Sequence, residues 1–244
     1  MEPTHRQLAN LEKKAKAIVG RLNRDDKPVV EPVVVEFAGS PKAGKTTTID
    51  IVEHFFRRMG FKVWAPTEGA AKRTPYQLRR DLVAFNTWTL NYAISEILVA
   101  YHNVDQHDLI ILDRGPFDSL AWMRLLKGRE EHNLSEEELE VFERFACHPR
   151  WSKLIARLYL FTCDPQVSLK RETESKLTLR SGTAMNETLL SDLLKQYKQL
   201  EKEFRQDLLK SIPTSEDTTP KATSFGIAED LLGIFDGRVD ANQR

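Results

Sequence analysis

The chain has 244 residues, 41% of them hydrophobic and 30% charged, which is typical of one globular domain with a sizeable core. Its 36 basic and 36 acidic residues give a net charge of zero, which excludes a globally basic nucleic-acid binder. Two cysteines are too few for a disulfide framework or a metal cage. No apolar run reaches the roughly 20 residues of a membrane span, and the first residues lack a signal-peptide core. We therefore expect a cytoplasmic protein without a membrane partner.

The first part of the chain, residues 4–24, has the pattern of an amphipathic helix. Its apolar residues recur at steps of three and four: Leu8, Leu11, Ala15, Ile18, Val19 and Leu22. Basic residues on the other side are typical of a docked surface helix, with a basic arm for nucleic acid or a membrane as the alternative. We predict an N-terminal helical extension over residues 1–28 and one main domain over 29–244.

Beyond residue 29, short apolar strands alternate with helical segments. Strands are predicted at 33–37, 61–64, 109–112 and 158–161, with a weaker one near Ile212. Helices are predicted at 46–59, 78–101, 119–126, 135–145, from Pro165, at 187–209 and at 226–235, with a loop over 215–224. This alternation predicts an α/β fold with a parallel sheet between two layers of helices.

A phosphate-binding motif follows the first strand, because residues 39–46 match G-x-x-x-x-G-K-[ST]. Glycines let backbone N–H groups surround phosphate oxygens, and the next helix directs its N-terminus at the same anion. In this motif Lys45 reaches the β- and γ-phosphates, and the Thr46 hydroxyl binds Mg²⁺. We predict binding of ATP or GTP with Mg²⁺ by Gly39, Ser40, Pro41, Lys42, Ala43, Gly44, Lys45, Thr46 and Thr47.

The third strand ends in an acidic and a basic residue, Asp113 and Arg114. Ligands of open α/β sheets bind at the carboxyl ends of the strands. Asp113 is therefore expected to face the phosphate loop and to hold Mg²⁺ together with Thr46. Arg114 offers a planar fork for phosphate or carboxylate.

These residues resemble a known family. Asp113-Arg114 followed by Asp118-Ser119-Leu120-Ala121-Trp122 resembles the D-R-x-x-x-x-S-x-A-[YW] stretch of thymidylate kinases and is similar to the E-R-S stretch of deoxynucleoside kinases. The resemblance runs from about Val29 to Leu200. It implies a three-layer P-loop fold with strand order 2-3-1-4-5, and it allows a homodimer through the helices beside the Asp113 strand.

The same resemblance implies a catalytic set. A lid over about residues 170–186 would bring Arg171 and Arg180 to the γ-phosphate and exclude water. Glu68 stands where these families carry an acidic residue, and would act as general base toward an acceptor hydroxyl. The catalytic residues are then Lys45, Glu68, Asp113, Arg114, Arg171 and Arg180.

The acceptor residues depart from the family pattern. Thr67 replaces the arginine of thymidylate kinases, and residues 81–113 contain no Lys or Arg, so a phosphate acceptor loses two expected cations. The helix over 82–101 carries Asn86 and Asn91, whose carboxamides suit the edge of a base. Trp88 and Tyr92 lie four residues apart, which is also the spacing of core residues. The predicted acceptor-binding residues are Glu68, Arg73, Arg80, Asn86, Asn91 and Arg114.

Three functions fit these patterns. The first is an ATP- and Mg²⁺-dependent kinase that phosphorylates a nucleoside, a nucleotide or a related small acceptor. The second keeps phosphoryl transfer but uses the 5′-hydroxyl end of a polynucleotide, and is less favoured. The third is a nucleotide-gated interaction protein, in which the bound nucleotide orders the lid for a partner.

Overall fold

Five parallel strands form one sheet in the computed structural model, which describes residues 2–22, 30–66, 74–103, 106–175 and 185–242. The strands are β1 (Val33–Gly39), β2 (Val63–Trp64), β3 (Leu109–Asp113), β4 (Ile155–Cys163) and β5 (Leu209–Thr214). Their order in the sheet is β2-β3-β1-β4-β5. The predicted α/β class, parallel sheet and strand order are confirmed.

Helices cover both faces of the sheet. They are α1 (His5–Arg21), α2 (Lys45–Met59), α3 (Leu82–His102), α4 (Pro116–Lys127), α5 (Glu136–Ala146), α6 (Pro149–Ser152), α7 (Pro165–Ser175), α8 (Glu187–Glu203) and α9 (Pro220–Asn242). Helices α1, α2 and α9 share a core on one face, and α3, α4 and α8 share a core on the other. Among the described residues, none of these helices is both long and apolar enough to cross a membrane.

Strand β1 is buried along its whole length because it lies at the centre of the sheet. Val33, Val35 and Phe37 point into the core beneath α1, α2 and α9. Val34 and Ala38 point into the opposite core. Burial on both faces explains why this strand is a continuous apolar run rather than an alternating one. Glu36 is the exception within it, and it is fully buried.

Several helix boundaries differ from the sequence-based expectations. Helix α9 begins at Pro220 and not near residue 226, since proline fits a first turn, which leaves 215–219 as the loop. Helix α8 ends at Glu203 rather than near 209. The segment predicted as one helix over 78–101 divides at Asp81, whose side chain accepts hydrogen bonds from the N–H groups of Val83 (3.0 Å) and Ala84 (3.1 Å) and caps α3.

Helix α1 packs against α2 and α9. Leu11, Ala15 and Ile18 are buried in the core that those helices share. Arg21 forms ion pairs with Asp236, at 2.8 Å, and with Asp240 on α9. The predicted amphipathic helix is therefore present and docked, and it belongs to the same apolar core as helix α2.

Candidate functional site

A cavity of about 820 Å³ opens at the carboxyl ends of β1 and β3. One wall is the loop and first turn over residues 41–48, and the floor carries Asp113 and Arg114. Arg171 and Ser175 of α7 line a second side. Residues between Thr214 and Thr223, at the end of β5 and the start of α9, close the outer part. The cavity lies where open parallel sheets bind their ligands.

Left-handed backbone shapes the loop between β1 and α2. Gly39 has φ 128°, Lys42 has φ 59° and Gly44 has φ 95°. Gly39 also packs closely against β4, because a Cβ atom there would lie 1.9 Å from the carbonyl oxygen of Phe161. Gly44 is the N-cap of α2 and makes no side-chain cap. The first N–H groups of α2 therefore face the cavity without a side-chain acceptor, as in a helix N-terminus that binds an anion.

Lys45 lies at the first position of α2, with 6% of its surface exposed. Its Nζ donates hydrogen bonds to the carbonyl oxygens of Gly39 and Ser40, each at 2.8 Å. Burial, and next the charge of Arg114, lower the pKa of Lys45 to about 8. The two carbonyl oxygens therefore hold the ammonium group beside the loop.

The two predicted metal ligands lie side by side. The Thr46 hydroxyl donates a hydrogen bond to Oδ2 of Asp113 at 3.2 Å. These hard oxygen donors fit Mg²⁺, which proteins bind through one or two carboxylates while phosphates and waters complete the octahedron. Within the described ranges, no cluster of three or more His, Cys, Asp and Glu side chains could form an all-protein metal site.

Arg114 stands at the end of β3 in a left-handed conformation, with φ 67°. Its N–H donates to the carbonyl oxygen of Phe37 at 3.0 Å, which continues the pairing of β3 with β1. Its Nη1 donates to Oδ2 of Asp118 at 2.6 Å. Burial by itself lowers the pKa of Arg114, but the neighbouring Asp118, Tyr197 and Asp113 together outweigh burial, and the pKa is raised. The guanidinium is thus a fixed positive charge on the cavity floor.

Arg171 bridges two walls of the cavity. Its Nη1 donates to the carbonyl oxygen of Lys42 at 3.0 Å, and its Nη2 donates to that of Ser215 at 2.5 Å. The Lys42 ammonium pairs with Glu172 of α7 at 2.9 Å. Helix α7, at the start of the predicted lid, is therefore attached to the phosphate loop by charged side chains.

The structure brings together one part of the predicted site. Residues 41–47, Asp113, Arg114 and Arg171 all line the cavity. Glu68, Arg73, Arg180 and most of the predicted lid, residues 176–184, lie outside the described residues.

The other predicted acceptor residues are not brought to this cavity. Asn86 is buried, and its amide donates to the carbonyl oxygen of Leu82 at 2.7 Å. Asn91 is exposed and bonds the carbonyl oxygen of Thr87 at 2.8 Å. Trp88 and Tyr92 are half-buried and stack on each other, with ring centroids 5.5 Å apart. Arg80 is exposed at the end of the 3-10 turn Tyr76–Arg80.

Sequence reasoning missed the polar network behind the cavity. Asp118 accepts a hydrogen bond from the Gly39 N–H at 2.9 Å, and its own N–H donates to Oε1 of Glu36 at 2.8 Å. The Tyr197 hydroxyl also donates to Asp118, at 2.8 Å. One signal was available, because Glu36 is a carboxylate inside an apolar strand. Such a residue needs buried hydrogen-bond donors, and here they are the N–H groups of Phe117 and Asp118.

Comparisons with protein-family models and with curated proteins found no match to this chain.

Proposed function

We propose that this protein binds ATP or GTP with Mg²⁺ and transfers the γ-phosphoryl group to a nucleoside, a nucleotide or a related small acceptor. One observation carries the proposal. The N-terminus of α2, Lys45, the Thr46–Asp113 pair and Arg114 converge on one cavity of about 820 Å³. Phosphoryl transfer requires positioning and charge neutralisation, and these groups supply both.

Each group has a distinct task in this proposal. The N–H groups of the loop and of α2 bind the phosphate oxygens. Lys45 exchanges its two carbonyl acceptors for β- and γ-phosphate oxygens, which stabilise its protonated form. Thr46 and Asp113 hold Mg²⁺, which neutralises phosphate charge when bound. Arg114 and Arg171 donate to the transferred group, whose charge lies on its outer oxygens.

The remaining part of the cavity suits the nucleoside of the donor. It is lined by Thr214, Glu216, Thr218, Pro220 and Thr223, which combine hydroxyl and carboxylate groups with apolar carbon. Such a lining is typical of small-molecule sites, in which a few polar groups fix the orientation of the ligand. The loop over residues 41–48 and this outer wall line the same cavity, so one nucleoside triphosphate can contact both.

The test is a transfer assay with γ-labelled ATP or GTP, with and without Mg²⁺. The acceptors are pools of nucleosides, nucleoside monophosphates and 5′-hydroxyl oligonucleotides. Lys45→Ala should lower transfer at least about 100-fold, the size of effect seen when one charge-stabilising donor is removed. Lys195→Ala, a lysine of α8 with 73% side-chain exposure, is the charge-matched control and should retain full transfer. Urea denaturation midpoints of Lys195→Ala and Lys45→Ala, compared with that of the wild type, show whether both variants fold.

Two results would contradict the proposal. The first is full transfer by Lys45→Ala. The second is a wild-type chain that labels none of the three pools although it binds ATP, which would favour the nucleotide-gated interaction protein. Label on the oligonucleotide pool alone would identify a polynucleotide as the acceptor. Binding of the oligonucleotide should then weaken steeply as the salt concentration rises.

A further inference from the structure

One buried carboxylate behind the cavity contacts three separate elements. Asp118 lies in the first turn of α4, and 2% of its surface is exposed. Its Oδ1 accepts hydrogen bonds from the Gly39 N–H of the phosphate loop, at 2.9 Å, and from the Tyr197 hydroxyl of α8, at 2.8 Å. Its Oδ2 accepts from Nη1 of Arg114 at 2.6 Å. Both oxygens of the carboxylate are therefore in use. Two of the three donors, Gly39 and Arg114, belong to the predicted site, and Arg114 also lines the cavity.

The two site groups that Asp118 holds both have left-handed backbone. Gly39 ends β1 with φ 128°, and Arg114 follows β3 with φ 67°. For a residue with a side chain such as Arg114, this conformation is unfavourable unless the surroundings enforce it. The strands are neighbours, with Phe37 opposite Asp113. The Asp118 carboxylate accepts a hydrogen bond from the residue at each of these strand ends and so connects them.

Asp118 is itself held in place by Glu36 of β1. Its N–H donates to Oε1 of Glu36 at 2.8 Å, and the N–H of Phe117 donates to Oε2 at 3.2 Å. Gly115 permits this approach, because a Cβ atom there would lie 2.7 Å from the Glu36 carboxyl group. Burial, which outweighs the hydrogen bonds, raises the pKa of Glu36 to about 8.

We propose that Asp118 is a positioning residue of this site: its carboxylate fixes the Arg114 guanidinium and the Gly39 amide relative to each other. This inference rests on the proposed phosphoryl transfer. Asp118 does not line the cavity, so it acts through Arg114 and the loop. Its bond to Tyr197 joins both to α8, the helix that follows the predicted lid.

The chain contains a matched control for this arrangement on the opposite face of the sheet. Asp230 of α9 accepts from Nε of Arg157 at 3.0 Å and from the Tyr159 hydroxyl at 2.8 Å. It also pairs with Lys210 at 3.4 Å. The same three residue types thus form a second cluster, and none of its members lines the cavity. A change at Asp230 removes comparable bonds without touching the candidate site.

The test measures kcat and KM for ATP in Asp118→Asn and Asp230→Asn. Asparagine keeps the acceptor for the Gly39 N–H and loses the charge that orients Arg114. We expect kcat to fall about 10- to 100-fold in Asp118→Asn, the effect of misplacing a catalytic group by about 1 Å. KM should change less than about threefold, since the loss falls on the transition state. Asp230→Asn should keep kcat within about twofold, although it also loses thermal stability.

A double mutant separates positioning from mere folding. If Asp118 acts through Arg114, Asp118→Asn should cost no more than about twofold in kcat when added to Arg114→Gln.

A second variant serves if Asp118→Asn does not fold: Tyr197→Phe leaves the Asp118 carboxylate in place. It should lower kcat about three- to tenfold, whereas Tyr159→Phe keeps kcat within about twofold.

The outcomes are distinguishable. Equal kcat losses in Asp118→Asn and Asp230→Asn would overturn the positioning role of Asp118, and so would additive losses in the double mutant. In both cases the proposed function stands as long as the wild-type chain transfers phosphate. A wild-type chain without phosphoryl transfer overturns both proposals. A selective kcat loss in Asp118→Asn that disappears in the Arg114→Gln background supports both.

Discussion

Two clusters that share three residue types, Asp, Arg and Tyr, lie on opposite faces of the sheet. Asp118 accepts hydrogen bonds from Arg114 and Tyr197, and Asp230 accepts them from Arg157 and Tyr159. Both tyrosines are fully buried. Burial and the neighbouring aspartate raise the pKa of each tyrosine well above its usual range.

What separates the clusters is their position along the strands. The Asp118 cluster lies at the carboxyl ends of β1 and β3 and includes the Gly39 N–H. The Asp230 cluster lies over the first half of β4 and connects that strand to α9. Identical side chains therefore connect a loop and an arginine at the ligand edge in one case, and a strand and a helix in the other.

The largest expected effect is on stability, upon removal of the Asp118 carboxylate. Asp118→Ala leaves the Gly39 N–H and the Arg114 guanidinium without their acceptor. Losing one partner of a buried charged pair costs about 3–5 kcal/mol, and we expect a loss of that size in the free energy of unfolding. Urea denaturation followed by circular dichroism measures it.

Asp230→Ala is the partner experiment, with a smaller expected loss of about 1–3 kcal/mol. Asp230 has 18% side-chain exposure, against 2% for Asp118, and Arg157 retains a hydrogen bond to the carbonyl oxygen of Asp207. Equal losses in the two variants would show that the buried position of Asp118 does not distinguish the clusters energetically.

The next effect concerns the tyrosine hydroxyl groups. Tyr197→Phe and Tyr159→Phe each delete one bond to a carboxylate, at 2.8 Å in both clusters. Hydrogen bonds to charged groups contribute about 1.5–3 kcal/mol, so both variants should lose stability by that amount and to a similar extent. Thermal unfolding of the two variants beside the wild type tests this equality. A difference above about 1 kcal/mol would mean that the clusters differ in packing as well as in position.

The last expected effect is a change of stability with pH, which comes from Glu36, the second carboxyl of the Asp118 cluster. Its folded-state pKa of about 8 lies above the ordinary value of 4.5, so the folded protein binds the additional proton between these values. The stabilising contribution is complete below about pH 4.5 and is lost as the pH rises through about 8. Within this window it changes by about 1.4 kcal/mol per pH unit.

Glu36→Gln removes this titration and is therefore the control for the pH dependence of the wild-type protein. Its amide oxygen accepts only one of the two N–H groups that Glu36 binds, so the variant is less stable overall but should respond less to pH. Urea unfolding of both proteins at pH 5, 6, 7 and 8 compares the slopes. Parallel stability curves would show that Glu36 is ionised in the folded protein.

Local patterns predicted much of the fold. The apolar run at 33–37, the glycines of 39–46 and the helix after them have short-range causes, namely buried strand composition, left-handed backbone and helix propensity. The strand order came with the family resemblance and is confirmed by the pairing of β1 with β3 and β4. The helix ends were less well predicted, because caps such as Asp81 and first-turn prolines such as Pro220 compete with periodicity.

The candidate site also contains residues that local sequence patterns predicted and contacts that they did not predict. The sequence by itself predicted the glycine-containing loop over residues 39–46 and the acidic and basic residues that end β3, because each follows from residue types at fixed spacing. Only the tertiary structure decided that Asp118 bonds both Gly39 and Tyr197, each 79 residues away, and that Asn86 and Asn91 lie away from the cavity. The physical reason is that a hydrogen bond over such separations depends on how strands and helices are arranged in space. Spacing along the chain specifies neighbours within an element, whereas packing between elements selects the partners of a buried carboxylate.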